Sequence, residues 1–158
     1  MNQVKTEDFT TTLVVDKTPH EAFEAINNVR GWWSETVEGG THQLNDVFVY
    51  QYKDIHASTQ KLIEIVPDKK VVWLVTDSLL SFVKLKSEWT GTKIIFEISK
   101  KGDQTEVKFT HQGLDPQVEC FNDCSGGWDY YLQRSLLPLI QIGTGNPDKK
   151  NDTKWSAN

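Results

Sequence analysis

Apolar residues recur at every second position through the middle of the chain and at every third or fourth position near its C-terminus. From Val47 to Tyr52 the pattern alternates, with Phe48, Tyr50 and Tyr52 on one face. This period of two is typical of a β-strand with one buried side. The central part of the chain is therefore predicted to form a sheet.

Further strands follow the same rule. Residues 62–66 and 71–76 predict a hairpin around a turn at Pro67, and residues 94–99 predict another strand. The last strand places Val107, Phe109 and His111 on one face and charged residues on the other. We therefore expect His111 to point inward with Phe109.

Helical signals lie before and after these strands. A first strand, Phe9–Val15, is followed by Thr18-Pro19-His20-Glu21, in which Thr18 can cap a helix and Glu21 can complete a capping box. This helix is short, and a second short helix is expected to end near Trp33. The order predicts an α+β fold in which helices cover one side of an antiparallel sheet.

A long C-terminal helix is predicted from Gln117 to Ile142, with a break considered near Ser125 and a stop at Gly143. Pro138 cannot donate to the carbonyl of Arg134, so a kink is expected there. One stripe of the helix, at helical spacing, consists of Cys124, Trp128, Tyr131, Leu132, Ser135, Leu139 and Ile142.

Length and composition limit the function. A chain of 158 residues forms one domain, here predicted as residues 1–143 with a polar, flexible tail at 144–158. A net charge of −5 argues against nucleic acid as a partner. No apolar run is long enough to span a membrane. The polar start, Met1 to Asp8, lacks the core of a signal peptide, so the cytoplasm is the expected compartment, with Cys120 and Cys124 as free thiols.

The chain resembles the START-like or SRPBCC superfamily over roughly residues 8–143. Within it, the chain is most similar to bacterial proteins related to the C-terminal domain of the heat-shock-protein-90 ATPase activator. The matching pieces are Val14–Phe23, Trp32-Trp33, Thr105–Leu114, and Gly127-Trp128 leading to Leu132 and Leu136. The resemblance implies a helix-grip fold: a curved antiparallel sheet wrapped around the long C-terminal helix, with two short helices after the first strand.

The resemblance implies several functions. Members bind hydrophobic small molecules or lipids in a cavity between sheet and helix, act on such ligands as cyclases or hydrolases, or bind a chaperone. We expect ligand binding or sequestration. A related enzyme acting on a polyketide-like ligand is the first alternative, and a chaperone-binding module is the second. The eukaryotic activator grips the chaperone with an additional domain, for which this chain leaves no room, so a chaperone partner is not expected.

Inward positions of the helix and the strands are the candidate ligand-binding residues. Ordinary core packing would produce the same pattern, but the aromatic content favours a pocket. These residues are Phe48, Tyr50, Tyr52, Trp73, Phe96, Phe109, His111, Trp128, Tyr131, Leu132, Ser135 and Leu139.

The sequence indicates no catalytic residue, cofactor or metal site. His111 could carry protons together with a tyrosine, or it could simply be hydrogen-bonded to a neighbour. Ser135 lacks the surrounding motif of a serine hydrolase. His42 and His56 are expected to lie in or beside polar loops. The apolar segment Leu79–Val83 could cover the cavity mouth, form a homodimer contact, or be an ordinary edge strand.

Overall fold

The computed structural model describes residues 7–149 of the chain, and within that range no helix is long and apolar enough to cross a membrane. The elements in chain order are β1 (Phe9–Val15), α1 (Pro19–Asn27), α2 (Val29–Trp32), β2 (Glu38–Gly39), β3 (Val47–Tyr52), β4 (His56–Val66), β5 (Lys70–Leu80), β6 (Lys93–Lys101), β7 (Gln104–Gln112), α3 (Phe121–Tyr131), a π-helical segment (Leu132–Leu136) and α4 (Leu137–Ile142).

The strands form a seven-stranded curved sheet in the order β1-β7-β6-β5-β4-β3-β2. Every neighbouring pair of strands is antiparallel. Phe48, Tyr50 and Tyr52 are buried on β3, and Phe109 and His111 are buried on β7. The predicted α+β class and the predicted inward faces of these two strands are confirmed.

The first helix begins where the capping signals lie. The Thr18 hydroxyl accepts a hydrogen bond from the Glu21 amide, and the Glu21 carboxylate accepts one from the Thr18 amide, both at 3.1 Å. This reciprocal pair satisfies two amides that the helix itself leaves unbonded. Helix α1 packs against α4, β6 and β7, and α2 ends at Trp32, which is fully buried.

The C-terminal helix, defined as α3, the π-helical segment and α4, runs from Phe121 to Ile142. It begins four residues later than predicted because turns occupy the preceding residues: the Val118 amide donates to Asp115, and the Phe121 amide to Val118. The helix has no break near Ser125, because α3 is continuous through that residue.

The π-helical segment corrects the predicted stripe beyond Ser135. The Leu137 amide donates to the carbonyl of Leu132, five residues earlier, so this turn holds one residue more than an α-helical turn. The extra residue shifts the buried positions that follow by one. Ile140 is therefore buried, whereas Leu139 is half-buried and Ile142 is 76% exposed. The π turn ends just before Pro138, the position of the predicted kink.

The expectation of two free thiols is wrong. Cys120 and Cys124 form a disulfide at the start of α3. Cys120 lies just before the helix, and the first turn brings the two Cα atoms to 5.5 Å, which is an ordinary separation for bridged cysteines.

Residues 144–149, predicted to belong to a polar tail, pack against the domain instead. The Asp148 side chain is buried, its amide donates to the carbonyl of Trp33, and its carbonyl accepts from Glu35. The Asn146 amide donates to the Ser135 hydroxyl at 2.7 Å. The remainder of the predicted tail, from residue 150 onward, lies outside the described residues, and so does Trp155.

Candidate functional site

A pocket lies at one end of the sheet, where β3 ends and β4 begins. The covering segment, defined as residues 81–91, connects β5 to β6 and lies over this end, opposite α3. The pocket is lined by Trp33, Tyr50, His56, Phe82, Trp89, Cys124, Gly127, Trp128 and Tyr131.

Flat aromatic faces form the walls of this pocket. The rings of Trp33 and Tyr50 stack with centroids 4.2 Å apart and planes within 15°. Trp89 stacks on Trp128 with ring centroids 5.8 Å apart and planes within 13°. The ring centroids of Trp33 and Trp128 lie 5.1 Å apart. Such surfaces match planar, apolar ligands. In this structure the cavity measures about 10 Å³, which is room for one water molecule at most.

The fully buried His111 uses both of its ring nitrogens. Its Nδ1 accepts a hydrogen bond from Trp128 Nε1 at 3.0 Å, so its proton lies on Nε2, which donates to the Thr92 hydroxyl at 2.8 Å. Thr92 in turn donates to the carbonyl of Trp89. Burial lowers the pKa of His111 to about 3. His111 is therefore a neutral, fully bonded structural residue.

His56 is also buried, but its hydrogen bonding differs from that of His111. It begins β4, it lines the pocket, and its Nε2 has no hydrogen-bond partner among residues 7–149. Burial lowers its pKa to about 3 as well. Trp89, whose ring centroid lies 4.4 Å from that of His56, also has a buried Nε1–H without a partner in the described part of the chain. His56 thus lies directly beside the turn at residues 53–55, as predicted, but its side chain is buried in the pocket wall.

The two tyrosine hydroxyls of the pocket point at Asp148. Tyr131 donates to the Asp148 carboxylate at 2.7 Å and Tyr50 donates to the same oxygen at 3.0 Å. The hydroxyls lie 3.3 Å from each other. Burial, together with this carboxylate, raises the pKa of both tyrosines well above the ordinary value of 10. Both hydroxyls therefore remain protonated and hold Asp148 against the domain.

Hydrogen bonds fasten the covering segment to the start of α3. The Glu88 carboxylate accepts from the amides of Glu119 at 2.8 Å and of Cys120 at 3.1 Å. The Lys84 amide donates to the Glu119 carboxylate at 3.0 Å. Phe82, on the same segment, is 37% exposed and lines the pocket. The segment is therefore attached through these polar contacts and through the buried side chains of Val83 and Trp89, and it presents Phe82 at the mouth.

The structure brings three of the twelve predicted ligand-binding residues to the pocket: Tyr50, Trp128 and Tyr131. His111 lies directly behind Trp128. Ser135 donates to the carbonyl of Trp32 instead of bonding one turn back along its own helix. Leu139 lies in a surface groove beside α1. The others are buried in the core around the pocket and do not line it: Phe48, Tyr52, Trp73, Phe96, Phe109 and Leu132.

Sequence reasoning missed six lining residues. His56 was missed because β4 carries polar residues, Ser58 and Gln60, on its inward face, which hides the strand pattern. Trp89 lies in a polar, turn-rich stretch with no periodicity. An aromatic residue in such a stretch was the one available signal. The others missed are Trp33, Phe82, Cys124 and Gly127.

The described residues contain no group of three or more His, Cys, Asp or Glu side chains that could hold a metal ion. The four histidines lie in different parts of the fold: His20 in α1, His42 in a loop, His56 at the start of β4 and His111 in β7. The chemistry of the site therefore rests on aromatic faces and on the few polar atoms among them.

Several solved structures share this fold. The solution structure of an Aha1 dimer from Colwellia psychrerythraea is 20% identical, with a TM-score of 0.71, and the match covers 88% of this chain and 99% of that one. The protein SSP2350 from Staphylococcus saprophyticus is 17% identical, with a TM-score of 0.65 and coverage of 89% and 96%. DynU16, from the dynemicin biosynthetic locus, is 11% identical, with a TM-score of 0.59 and coverage of 86% and 48%.

At these identities the structural neighbours show the fold alone. No curated protein shows a significant sequence match. A family model described as Activator of Hsp90 ATPase homolog 1-like protein matches residues 18–140, which is most of the chain. The chain therefore belongs to the family of Activator of Hsp90 ATPase homolog 1-like proteins.

Proposed function

We propose that this protein binds an apolar, planar aromatic small molecule in the pocket beneath the covering segment. The observation that carries the proposal is the set of flat aromatic faces, contributed by Trp33, Trp89 and Trp128, that reaches the surface at Phe82. A cavity of about 10 Å³ is too small for such a ligand, so binding requires Phe82, the partly exposed side chain at the mouth, to move outward while Trp89 stays in the wall.

The polar groups around the pocket support binding over catalysis. A general acid or base needs a titratable group that is free to exchange a proton near neutral pH. His111 has both nitrogens in hydrogen bonds, and the hydroxyls of Tyr50 and Tyr131 donate to Asp148. Among the described residues, the hydrogen-bond partners of His111 are Thr92 and Trp128, and neither is a tyrosine. The alternative of a His111–tyrosine acid–base pair acting on a polyketide-like ligand therefore lacks support.

The comparisons support a small-molecule ligand. DynU16 is described as a putative protein in the dynemicin biosynthetic locus. A protein of this fold encoded in a biosynthetic locus supports a small organic molecule as the ligand here. The family description instead names an ATPase activator, so a chaperone-binding role is the second candidate. A pull-down with purified heat-shock protein 90 and an ATPase assay test that role, and neither capture nor stimulation is expected.

Self-association is a separate question. The Colwellia psychrerythraea neighbour is described as a dimer. In this chain Leu79 and Leu85 are exposed apolar residues near the pocket mouth, 49% and 62% exposed. A homodimer stays a prediction, and sedimentation velocity over a concentration series checks it.

Naphthalene is a suitable probe for the proposed function because it is planar and has no polar atom. In a nuclear magnetic resonance titration, the indole signals of Trp33, Trp89 and Trp128 are expected to shift, while that of the core residue Trp73 stays in place. Absence of binding, or shifts confined to other parts of the molecule, would contradict the proposal.

Two substitutions in the covering segment form a matched pair. Phe82→Ala removes an aromatic wall and is expected to weaken naphthalene binding about threefold to tenfold. Leu85→Ala removes an exposed side chain that does not line the pocket, so it should leave the affinity unchanged. Equal effects of the two variants would place the ligand elsewhere.

A further inference from the structure

One wall of the pocket carries polar atoms that the protein leaves unbonded. Trp89 Nε1 and His56 Nε2 are both buried, on side chains that are 3% and 6% exposed. Neither atom has a hydrogen-bond partner within residues 7–149. A buried polar group without a partner destabilises a fold, so two such neighbours in a pocket wall indicate a ligand that supplies the partners.

The two side chains are neighbours in the pocket wall. Their ring centroids lie 4.4 Å apart, and their planes are nearly perpendicular, at 83°. The indole N–H can only donate, so the ligand must provide an acceptor. His56 is held neutral by burial, and a neutral imidazole nitrogen either accepts or donates. A hydroxyl oxygen satisfies both neighbours in either case, because it accepts from Trp89 and accepts from or donates to His56.

The charge around the pocket argues for an uncharged ligand. No Lys, Arg, Asp or Glu lines it. The carboxylate of Asp148 lies behind the hydroxyls of Tyr50 and Tyr131, where it would repel an anion. A carboxylate-bearing ligand would thus lose its hydration without gaining a cation.

Resting on the proposed function, we infer that the ligand is an uncharged aromatic molecule with a phenolic hydroxyl. Its rings lie between the indole faces, and its hydroxyl bonds to Trp89 Nε1 and His56 Nε2.

A series of naphthalene derivatives tests this inference by calorimetry. 2-Naphthol is expected to bind about tenfold more tightly than naphthalene, although it is the more water-soluble molecule. 2-Methoxynaphthalene can accept from Trp89 but has no proton to donate, so it should bind more tightly than naphthalene and no more tightly than 2-naphthol. 2-Naphthoate, which is charged, should bind more weakly than 2-naphthol.

Two variants test whether Trp89 Nε1 and His56 Nε2 cause the preference for 2-naphthol over naphthalene. Trp89→Phe keeps an aromatic ring but removes the N–H, and His56→Leu keeps a similar volume but removes the nitrogens. Each is expected to lower the 2-naphthol-to-naphthalene affinity ratio from about tenfold to about threefold or less. Phe82→Leu is the matched control, since it changes the same pocket without touching a polar atom and should preserve the ratio.

The outcomes separate this inference from the function on which it rests. If naphthalene and 2-naphthol bind equally well to the unmodified protein, or if both variants keep the ratio, the phenol inference is overturned while aromatic binding stands. If neither compound binds, both are overturned. If a variant fails to fold, the ligand series on the unmodified protein still decides.

Discussion

Trp89 lies between two buried histidines and is nearly perpendicular to both, with ring centroids 4.4 Å from His56 and 4.7 Å from His111. In the His111 region (Thr92, His111 and Trp128) every ring nitrogen has a partner. In the His56 region (His56, Phe82 and Trp89) two buried nitrogens have no partner in the described chain. Similar residues at similar depth thus have opposite hydrogen-bonding states.

The difference separates buried histidines that stabilise the fold from buried histidines that are available to a ligand. The His111 region is closed by its own hydrogen bonds and holds strand β7 to α3. The His56 region is covered by residues 81–91, which polar contacts fasten to α3 and which also bury Val83 and Trp89. A fully bonded histidine indicates structure, whereas an unbonded one beside a movable segment indicates a place for a ligand.

The largest expected effect comes from acid, which acts on both regions. Both histidines have a pKa of about 3 in the folded protein against 6.5 unfolded, so the unfolded state takes up more protons as the pH falls below 6.5. Stability is complete above that pH and is lost progressively towards pH 3, at about 1.4 kcal/mol per pH unit for each histidine. Urea unfolding at pH 7.5 and pH 5.0 should differ by about 4 kcal/mol.

His56→Leu and His111→Leu should each remove about half of that pH dependence. Loss of the whole dependence in one variant alone would show that the other histidine is protonated in the folded protein. The two regions would then differ in charge as well as in hydrogen bonding.

The same two variants separate the regions at pH 7.5. His111→Leu leaves the Trp128 N–H unpaired and should lower the free energy of unfolding by about 3 kcal/mol. His56→Leu removes a nitrogen that has no partner, so the change should stay within about 1 kcal/mol, in either direction. Urea unfolding measures both, and similar losses would contradict the contrast between the regions.

A smaller effect is expected from Glu88→Ala, which removes the acceptor for the amides of Glu119 and Cys120. The free energy of unfolding should fall by about 1 kcal/mol. Amide hydrogen exchange should rise in residues 81–91 while β7, which carries His111, keeps its protection. Uniform faster exchange would show that the segment does not open separately from the rest of the fold.

The sequence predicted the fold well because most strands obey simple alternation. Val107, Phe109 and His111 followed parity, and the capping box at Thr18 fixed the first helix. The π turn was not predictable, since Pro138 indicates an irregularity but not whether it is a kink or an inserted residue.

The pocket was predicted only in part, for a physical reason. Periodicity identifies inward faces, but a buried core and a pocket wall share those faces. Tyr50, Trp128 and Tyr131 were found in this way, while His56 and Trp89 lie where the chain leaves regular structure. Which buried groups lack partners depends on distances between elements, which the sequence does not contain.

The central claim is that the His56 region is the ligand site and the His111 region is structural. The most direct measurement follows the indole N–H signals of Trp89 and Trp128 by nuclear magnetic resonance during a titration with 2-naphthol. The Trp89 N–H signal should move strongly downfield as it gains an acceptor, while the Trp128 N–H, already bonded to His111, should move much less. A stationary Trp89 N–H signal at saturating 2-naphthol, or a larger downfield shift at Trp128, would contradict the account.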